Sequence, residues 1–230
     1  MHIDPRFACR QSAGDPPVSR AFITGVGRFR IVVIAASTGG LEALSRILSQ
    51  LGPAFPAAIA IVQHRAASSP HLLAQILQRH TRLKVKDVED GEEIHPGVVY
   101  VAPPDIHLVV DARRRFALRD GPKVKHVRPS GDVLFASAAE AFESQVIALV
   151  LTGGDGDGST GILVVKQHGG TVICQDAESA RDAGMPRSAI ATGEVDYVMP
   201  LAYIASALEN LVFRRVTQSA SRRGHTWARR

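Results

Sequence analysis

The chain has 230 residues, of which 45% are hydrophobic and 21% charged, the composition of a globular domain with a sizeable core. Its net charge of +5 lies in the ends, because residues 1–30 carry +3, residues 213–230 carry +6 and residues 31–212 carry −4. This distribution excludes a basic globular surface that grips nucleic acid, so we expect no nucleic-acid partner. No apolar run reaches the ~20 residues of a membrane-spanning helix, and residues 1–20 lack the apolar stretch of a secretion signal. We therefore expect a cytoplasmic protein.

Hydrophobic patterns predict alternating strands and helices from Arg30 onward, after an irregular arm at 1–28. Continuous apolar runs predict buried strands, helical spacing predicts amphipathic helices, and alternation predicts a further strand and a hairpin. The strands are expected at 31–36, 57–63, 98–104, 146–152 and 171–175, the hairpin at 106–111 and 115–120, and the helices at 41–51, 70–80, 132–144, 161–169 and 201–213.

This order of elements predicts an α/β fold of three layers, with a mostly parallel sheet, helices on both faces and an antiparallel hairpin. No low-complexity linker interrupts residues 31–212. We therefore expect one domain at 29–213, followed by a basic tail at 214–230.

Three predicted strands end next to side chains that suit catalysis. The first ends at Ser37, the second at His64, and the run 146–152 leads into a glycine-rich loop that contains Asp157. Functional sites of open α/β sheets form at the carboxyl ends of strands. A hydroxyl, an imidazole and a carboxylate are the groups needed for acyl transfer, with backbone N–H groups at the following helix start as candidate donors to an oxyanion.

Each of these residues also has a structural interpretation. Ser37 suits a helix N-cap, His64 suits a contact with a backbone carbonyl, and Asp157 suits a cap in a glycine-rich turn. Their joint occurrence at three strand ends favours catalysis. The order Ser…His…Asp, and the lack of a G-x-S-x-G pattern at Ser37, argue against the α/β-hydrolase fold.

The glycine-rich loop has a second functional interpretation. Gly156, Gly158 and Gly161 match G-x-G-x-x-G between a predicted strand and helix, and Asp176 follows Gly156 by 20 positions. This is the pattern of a dinucleotide-binding α/β protein. Asp157, inside the loop, would repel a pyrophosphate.

Six segments along the chain form an ordered set of motifs: IAASTGGLEAL (34–44), IVQH (61–64), YVAPPDIHL (100–108), RPSGDVLFASAA (128–139), LTGGDGDGSTG (151–161) and GMPRSAI (184–190). In this order they resemble the catalytic domain of the chemotaxis-receptor protein-glutamate methylesterases (CheB-type). The resemblance implies a serine hydrolase of two-component chemotaxis signalling. It would remove methyl groups from glutamyl methyl esters of methyl-accepting receptor helices, deamidate receptor glutamines, and need no metal or organic cofactor.

The resemblance also implies a role for individual residues. It assigns Ser37 as the nucleophile, His64 as the general base and Asp157 as the acid that orients the ring. The substrate and oxyanion region is expected to comprise Thr38, Gly39, Gly153, Gly154 and Arg128. A receptor-binding module with weak catalysis is a further hypothesis.

The chain departs from the family pattern in two ways. The family usually has Gly at the positions of Ala35 and Asp155, and Met at the position of Gly154. Asp155 therefore adds a carboxylate beside the triad and is expected to shift the pKa of His64. Family members commonly carry a receiver domain before the esterase. The roughly 30 residues before the first strand are too few for one, so a separate receiver protein is an expected regulator of a monomeric enzyme.

Four other positions have less specific expectations. Arg128 has an ion pair with Asp132 as its alternative role. His107 is expected to be an exposed hairpin residue, Met185 to pack in a loop near the site, and Cys174 to be a buried strand thiol.

Overall fold

The computed structural model describes residues 29–69 and 71–221, with side chains as far as Phe213. The predicted arm at 1–28 and the end of the predicted tail at 222–230 lie outside the described residues. No helix in the described ranges is long and apolar enough to cross a membrane.

Strands and helices alternate along this part of the chain. The strands are β1 (Arg30–Ala36), β2 (Ala57–Gln63), β3 (Lys84–Asp87), β4 (Val98–Val101), β5 (His107–Val110), β6 (Phe116–Arg119), β7 (Val146–Val150), β8 (Thr171–Gln175) and β9 (Tyr197–Met199). The helices are α1 (Gly40–Gln50), α2 (Leu73–Gln78), α3 (Gly131–Phe142), α4 (Gly161–Gln167), α5 (Gly184–Ile190) and α6 (Leu201–Ser221), and a short 3-10 helix covers Glu143–Gln145.

The main sheet has seven parallel strands in the order β3-β4-β2-β1-β7-β8-β9. The chain adds β2 on one side of β1 and later returns to add β7 on the other side. Such a reversal opens a crevice at the carboxyl ends of the central strands. Ala36 of β1 pairs with Gln63 of β2, so the next residues, Ser37 and His64, leave the sheet side by side.

Both faces of the central strands are covered, which explains their continuous apolar sequences. Side chains such as Val33 pack with α3, α4 and α5 and with the antiparallel β5–β6 hairpin. Side chains such as Ile34 pack on the opposite face with α1, α2 and α6. Every residue of β1 and β2 is buried, and burying one such aliphatic side chain contributes about 1.5–3 kcal/mol. The predicted three-layer α/β fold is confirmed.

The structure differs from the predicted elements mainly at the edges of the sheet. The short strands β3 and β9 were not predicted, because edge strands are partly exposed and lack a continuous apolar run. Helix α2 is shorter than predicted, and α6 continues past Phe213 to Ser221. Met185 lies in α5 rather than in a loop, since a proline in the first turn of a helix loses no intrahelical hydrogen bond.

Gly161 sets how closely α3 and α4 approach each other. A Cβ atom added there would lie 2.7 Å from the Phe135 Cβ and 2.9 Å from the Asp132 Cα. We predict that Gly161→Ala lowers the free energy of unfolding by about 2–3 kcal/mol in urea denaturation, because these helices must separate. The matched control is Gly52→Ala, whose added Cβ has no neighbour nearer than 3.7 Å, with a change within about 0.5 kcal/mol. Equal stability of the two variants would contradict this account of α3–α4 packing.

Candidate active site

Ser37 lies in the turn that joins β1 to α1. Its N–H donates to the Thr152 carbonyl at 2.9 Å, and its carbonyl accepts from the Gly40 N–H at 2.8 Å. The N-cap of α1 is Gly39, which has a left-handed φ of 81° and no side-chain cap. The interpretation of Ser37 as the N-cap is therefore wrong. Among the contacts of residues 29–69 and 71–221, its hydroxyl makes no hydrogen bond, so the oxygen is available for chemistry.

A side-chain amide holds the two strand ends together. The Gln63 Nε2 donates to the carbonyl of Ser37 at 2.8 Å and to the carbonyl of His64 at 3.1 Å. Gln63 is buried, and a Cβ on Gly40 would meet its Oε1 at 2.0 Å, so only glycine leaves room for this amide. Gln63 is not among the predicted site residues, because its place in the sequence is that of the last residue of a strand.

The His64 ring lies between two carboxylates. Its Nε2 is 2.8 Å from the Asp157 Oδ2, and its Nδ1 is 3.0 Å from the Asp155 Oδ2. The expected alternative, a ring held by a backbone carbonyl, is therefore wrong. Burial of the ring lowers its pKa, but the hydrogen bonds and charges of Asp155 and Asp157 outweigh burial and raise the pKa of His64 to about 9.

The Asp157 carboxylate is completely buried and lies at the N-terminus of α3. It accepts hydrogen bonds from the Ser130 hydroxyl at 2.6 Å, the Gly131 N–H and, at 3.1 Å, the Asp132 N–H. Burial opposes its negative charge. The contact with His64, these donors and the helix dipole outweigh burial, so the pKa of Asp157 lies below its ordinary value. Asp157 thus caps a neighbouring helix as well as orienting the His64 ring.

Asp132, in the first turn of α3, makes the reciprocal cap. Its Oδ1 accepts from the N–H groups of Thr160 and Gly161, at 2.9 and 2.7 Å, at the start of α4. Its Oδ2 pairs with the Lys125 ammonium at 2.8 Å. Burial, followed by the charge of Asp157, raises the pKa of Asp132 despite this pair. Asp157 therefore accepts hydrogen bonds from the N-terminus of α3, and Asp132 accepts hydrogen bonds from the N-terminus of α4.

These contacts argue against a dinucleotide at the loop of Gly156, Gly158 and Gly161. A pyrophosphate in that motif binds the N–H groups at the helix N-terminus. Here Asp132 already accepts the Gly161 N–H. The loop also directs two carboxylates toward His64 rather than leaving room for a ligand of the same charge.

Backbone N–H groups near Ser37 form the candidate oxyanion region. The Gly153 N–H donates to the Asp182 carbonyl at 2.9 Å, so Gly153, expected as part of this region, does not offer a free donor. In the described part of the chain, the N–H groups of Thr38, Gly39 and Gly154 have no acceptor. They are the candidates that remain from the predicted set.

Gly153 instead provides space beside the nucleophile. A Cβ there would lie 2.7 Å from the Ser37 Cβ and 2.1 Å from the Met185 Sδ. Met185 is fully buried, and its N–H donates to the Gly153 carbonyl at 2.6 Å. The expected packing role of Met185 is consistent with these contacts.

Arg128 forms ion pairs that the sequence analysis did not predict. Its guanidinium lies 2.9 Å from the Asp105 carboxylate and 2.7 Å from the Asp120 carboxylate, and it donates to the Gly121 carbonyl at 2.6 Å. The alternative of an Arg128–Asp132 pair is therefore wrong, since Asp132 pairs with a lysine. A role of Arg128 in substrate binding stays a prediction.

Two other residues have no access to solvent. His107 was expected to be exposed but is fully buried, with its Nε2 3.0 Å from the Pro122 carbonyl, and burial lowers its pKa. Cys174 is buried in β8 as expected, and burial raises the pKa of its thiol to about 12, which keeps it protonated. Among the described residues, no group of three or more His, Cys, Asp or Glu side chains is placed to hold a metal ion.

Comparisons with known proteins identify relatives of this chain. Residues 32–208 match the family model described as CheB methylesterase. The chain is 42% identical over 216 residues to a protein-glutamate methylesterase/protein-glutamine glutaminase of Thermotoga maritima, covering 92% of this chain and 62% of that protein. It is 42% identical over 177 residues to a putative enzyme of the same name from Leptospira interrogans, covering 77% and 92%. The crystal structure of the Thermotoga maritima CheB methylesterase catalytic domain aligns with a TM-score of 0.78 and 43% identity, covering 81% of this chain and 100% of that domain.

The pKa of His64 predicts how stability depends on pH. A ring with a pKa of about 9 in the folded protein and 6.5 in the unfolded chain stabilises the fold fully below pH 6.5. That contribution, about 3 kcal/mol, is lost as the pH rises through 9. We expect urea denaturation to show this loss between pH 6.5 and 9.5 in the wild type and not in His64→Gln. The same pH dependence in both proteins would show that the ring is not held as an imidazolium.

Proposed function

Because this chain belongs to the CheB methylesterase family, we propose that it hydrolyses glutamyl methyl esters of chemotaxis receptors with Ser37 as the nucleophile. The family predicted from the six motifs is confirmed by the match over residues 32–208. The observation that carries the proposed mechanism is the register of β1 and β2, which places Ser37 beside His64, with Asp157 behind the ring. The chain spans about three fifths of the Thermotoga relative, so its substrate and partners are part of the proposal.

The first step is the transfer of a proton from Ser37 to His64. Asp157 holds Nε2 of the ring, so a neutral His64 donates its Nε2–H to Asp157 and presents the Nδ1 lone pair to the serine. Nδ1 takes the hydroxyl proton while the Ser37 Oγ forms a bond to the ester carbonyl carbon. The negative charge moves to the carbonyl oxygen, where the N–H groups of Thr38, Gly39 and Gly154 supply donors.

The second step releases methanol and then the acid. The bond from the tetrahedral carbon to the methoxy oxygen breaks, and the methoxy group takes the proton from Nδ1 of His64. Water, deprotonated by the same nitrogen, attacks the acyl-serine, and the glutamate and the Ser37 hydroxyl are restored. A glutamine amide fits the same steps with ammonia as the leaving group, which accounts for the proposed second activity.

A cleft of about 570 Å³ opens beside the turn that carries Ser37 and provides a place for the substrate helix. Gly39 and Thr152 line its end near the nucleophile, and the exposed side chains of Glu42 and of the cations Arg46 and Arg181 line its walls. A receptor helix with several glutamates carries negative charge that these two cations attract. We therefore assign the methyl-accepting helix of a cytoplasmic receptor segment to this cleft, and the cytoplasm as the place of the reaction.

The nucleophile is tested by methanol release from methylated receptor. We expect Ser37→Ala to lower kcat/KM by roughly 10³-fold or more, because the acyl-enzyme cannot form. Ser49→Ala is the matched control, since Ser49 is an exposed serine on α1 whose hydroxyl contacts only the Arg46 carbonyl. Wild-type methanol release by Ser37→Ala would rule out this mechanism. It would leave the receptor-binding module as the better interpretation if receptor binding persists.

The cleft is tested by the affinity for substrate. We expect Arg46→Ala to raise KM for methylated receptor roughly 3- to 10-fold, with kcat little changed and the effect reduced by salt, because an exposed cation contributes mainly long-range attraction. Arg79→Ala is the control, because Arg79 is an exposed arginine that follows α2 and does not line the cleft. Equal KM values for the two variants would place the substrate helix elsewhere.

A further inference from the structure

We propose that Asp155 is a positioning residue whose carboxylate covers Nδ1 of His64 in the resting enzyme. We call this contact the cap, and Ser37 reaches the ring only after the cap opens. The inference rests on the proposed function, because it concerns the nitrogen that takes the serine proton. It goes beyond the triad, in which Asp157 alone orients the ring. Asp155 contacts the ring nitrogen opposite the one that Asp157 holds, so the cap is distinct from the orienting contact of the triad.

The two carboxylates hold the ring in different ways. Asp157 is fully buried and fixed by three donors of the α3 N-terminus, which hold it against Nε2 away from solvent. The Asp155 side chain is 28% exposed. Its Oδ2 contacts Nδ1, and its Oδ1 accepts the Asp157 N–H at 2.9 Å. Water can therefore replace the contact of Asp155 with the ring, but not the contact of Asp157.

The cap blocks the nitrogen that the proposed reaction requires. A ring that donates to both carboxylates is an imidazolium and has no lone pair for the Ser37 proton. When Nδ1 releases its proton to water, its lone pair faces the Asp155 oxygen and repels it. The Asp155 side chain then turns toward solvent, and the Ser37 hydroxyl becomes the donor to Nδ1. The proton count balances, since Nδ1 gives one proton to water before it accepts the proton of the Ser37 hydroxyl.

Asp155 and Asp157 are the charged groups whose hydrogen bonds and charges raise the pKa of His64. Other charged groups on the neighbouring elements have partners of their own. On the α3 side, Lys125 pairs with Asp132, and beside the hairpin Arg128 pairs with Asp105 and Asp120. His107 of β5 is buried. The Arg65 guanidinium donates to the Ala102 carbonyl, and the Asp182 carboxylate accepts from the Gly184 N–H.

The test compares kcat/KM for methyl-ester hydrolysis from pH 6 to 10 in the wild type and in Asp155→Asn. Asparagine keeps the size of the side chain and removes the charge that holds the imidazolium. We expect the rising limb of the wild-type profile near pH 9 and that of the variant at least one pH unit lower. Activity at pH 7 should then increase about tenfold, because one pKa unit changes the neutral fraction of the ring tenfold.

Two controls separate this effect from general changes in charge or folding. Glu178→Gln removes an exposed carboxylate in the loop after β8, which has no contact with His64, and should leave the profile unchanged. Thermal unfolding checks that Asp155→Asn is folded. A nitrogen-15 titration of the His64 ring in both proteins measures the same shift without any substrate.

The outcomes distinguish the cap from the enzyme itself. Superimposable pH profiles and ring titrations for wild type and Asp155→Asn, with hydrolysis that depends on Ser37, would overturn the cap and leave the proposed function intact. A lower rate at every pH without a shift would also overturn it, because Asp155 would then only support the loop. If no Ser37-dependent hydrolysis occurs, the proposed function fails, and the ring titration alone still decides whether Asp155 holds His64.

Discussion

The buried carboxylate of Asp157 is the group on which the rest of the site depends. A negative charge removed from water costs several kcal/mol unless donors replace the solvent. Here the Ser130 hydroxyl, two N–H groups of the first turn of α3 and the His64 ring replace it. The same contacts fix the ring and the start of α3 relative to the carboxyl ends of β2 and β7. The charge of Asp157, which the proposed mechanism uses to orient His64, is therefore also a structural anchor.

Small residues allow this anchor to form. A Cβ on Gly131 would lie 2.5 Å from the Ala35 Cβ, so only glycine lets the N-terminus of α3 come this close to β1. Gly161 has the same effect for α4, against Phe135. Because Asp132 caps α4 while Asp157 caps α3, the two helices and the central sheet hold one another in place. A change in this unit is expected to alter stability and activity together.

The sequence predicted the central part of the fold well because the physical signal there is strong. Strands β1, β2, β7 and β8 are buried on both faces, and their apolar runs show it directly. Ser37, His64 and Asp157 could be predicted to lie near one another because a parallel sheet brings the carboxyl ends of its strands together. The six motifs added the family, which residue patterns alone would not have supplied.

Other features depend on contacts that have no periodic signature. The Gln63 side chain bridges two backbone carbonyls at the strand ends, and spacing along the chain does not reveal this contact. His107 was misjudged because its hairpin packs against α3, where the Ser137 hydroxyl also accepts the Val110 N–H, and that face is covered. The alternative pair of Arg128 with Asp132 is wrong because several acids lie near Arg128 in the sequence, and only the loop geometry selects Asp105 and Asp120.

The central claim is that His64, oriented by Asp157, activates Ser37. It is tested most directly by the rate at which a fluorophosphonate forms an adduct with the protein, with the labelled residue located by peptide mass mapping. The account predicts a single adduct at Ser37 in the wild type, formed roughly 10²-fold or more slowly in folded Asp157→Asn, where the orientation of the ring is lost. An adduct at another residue, or labelling of Ser37 at the same rate in both proteins, would contradict it.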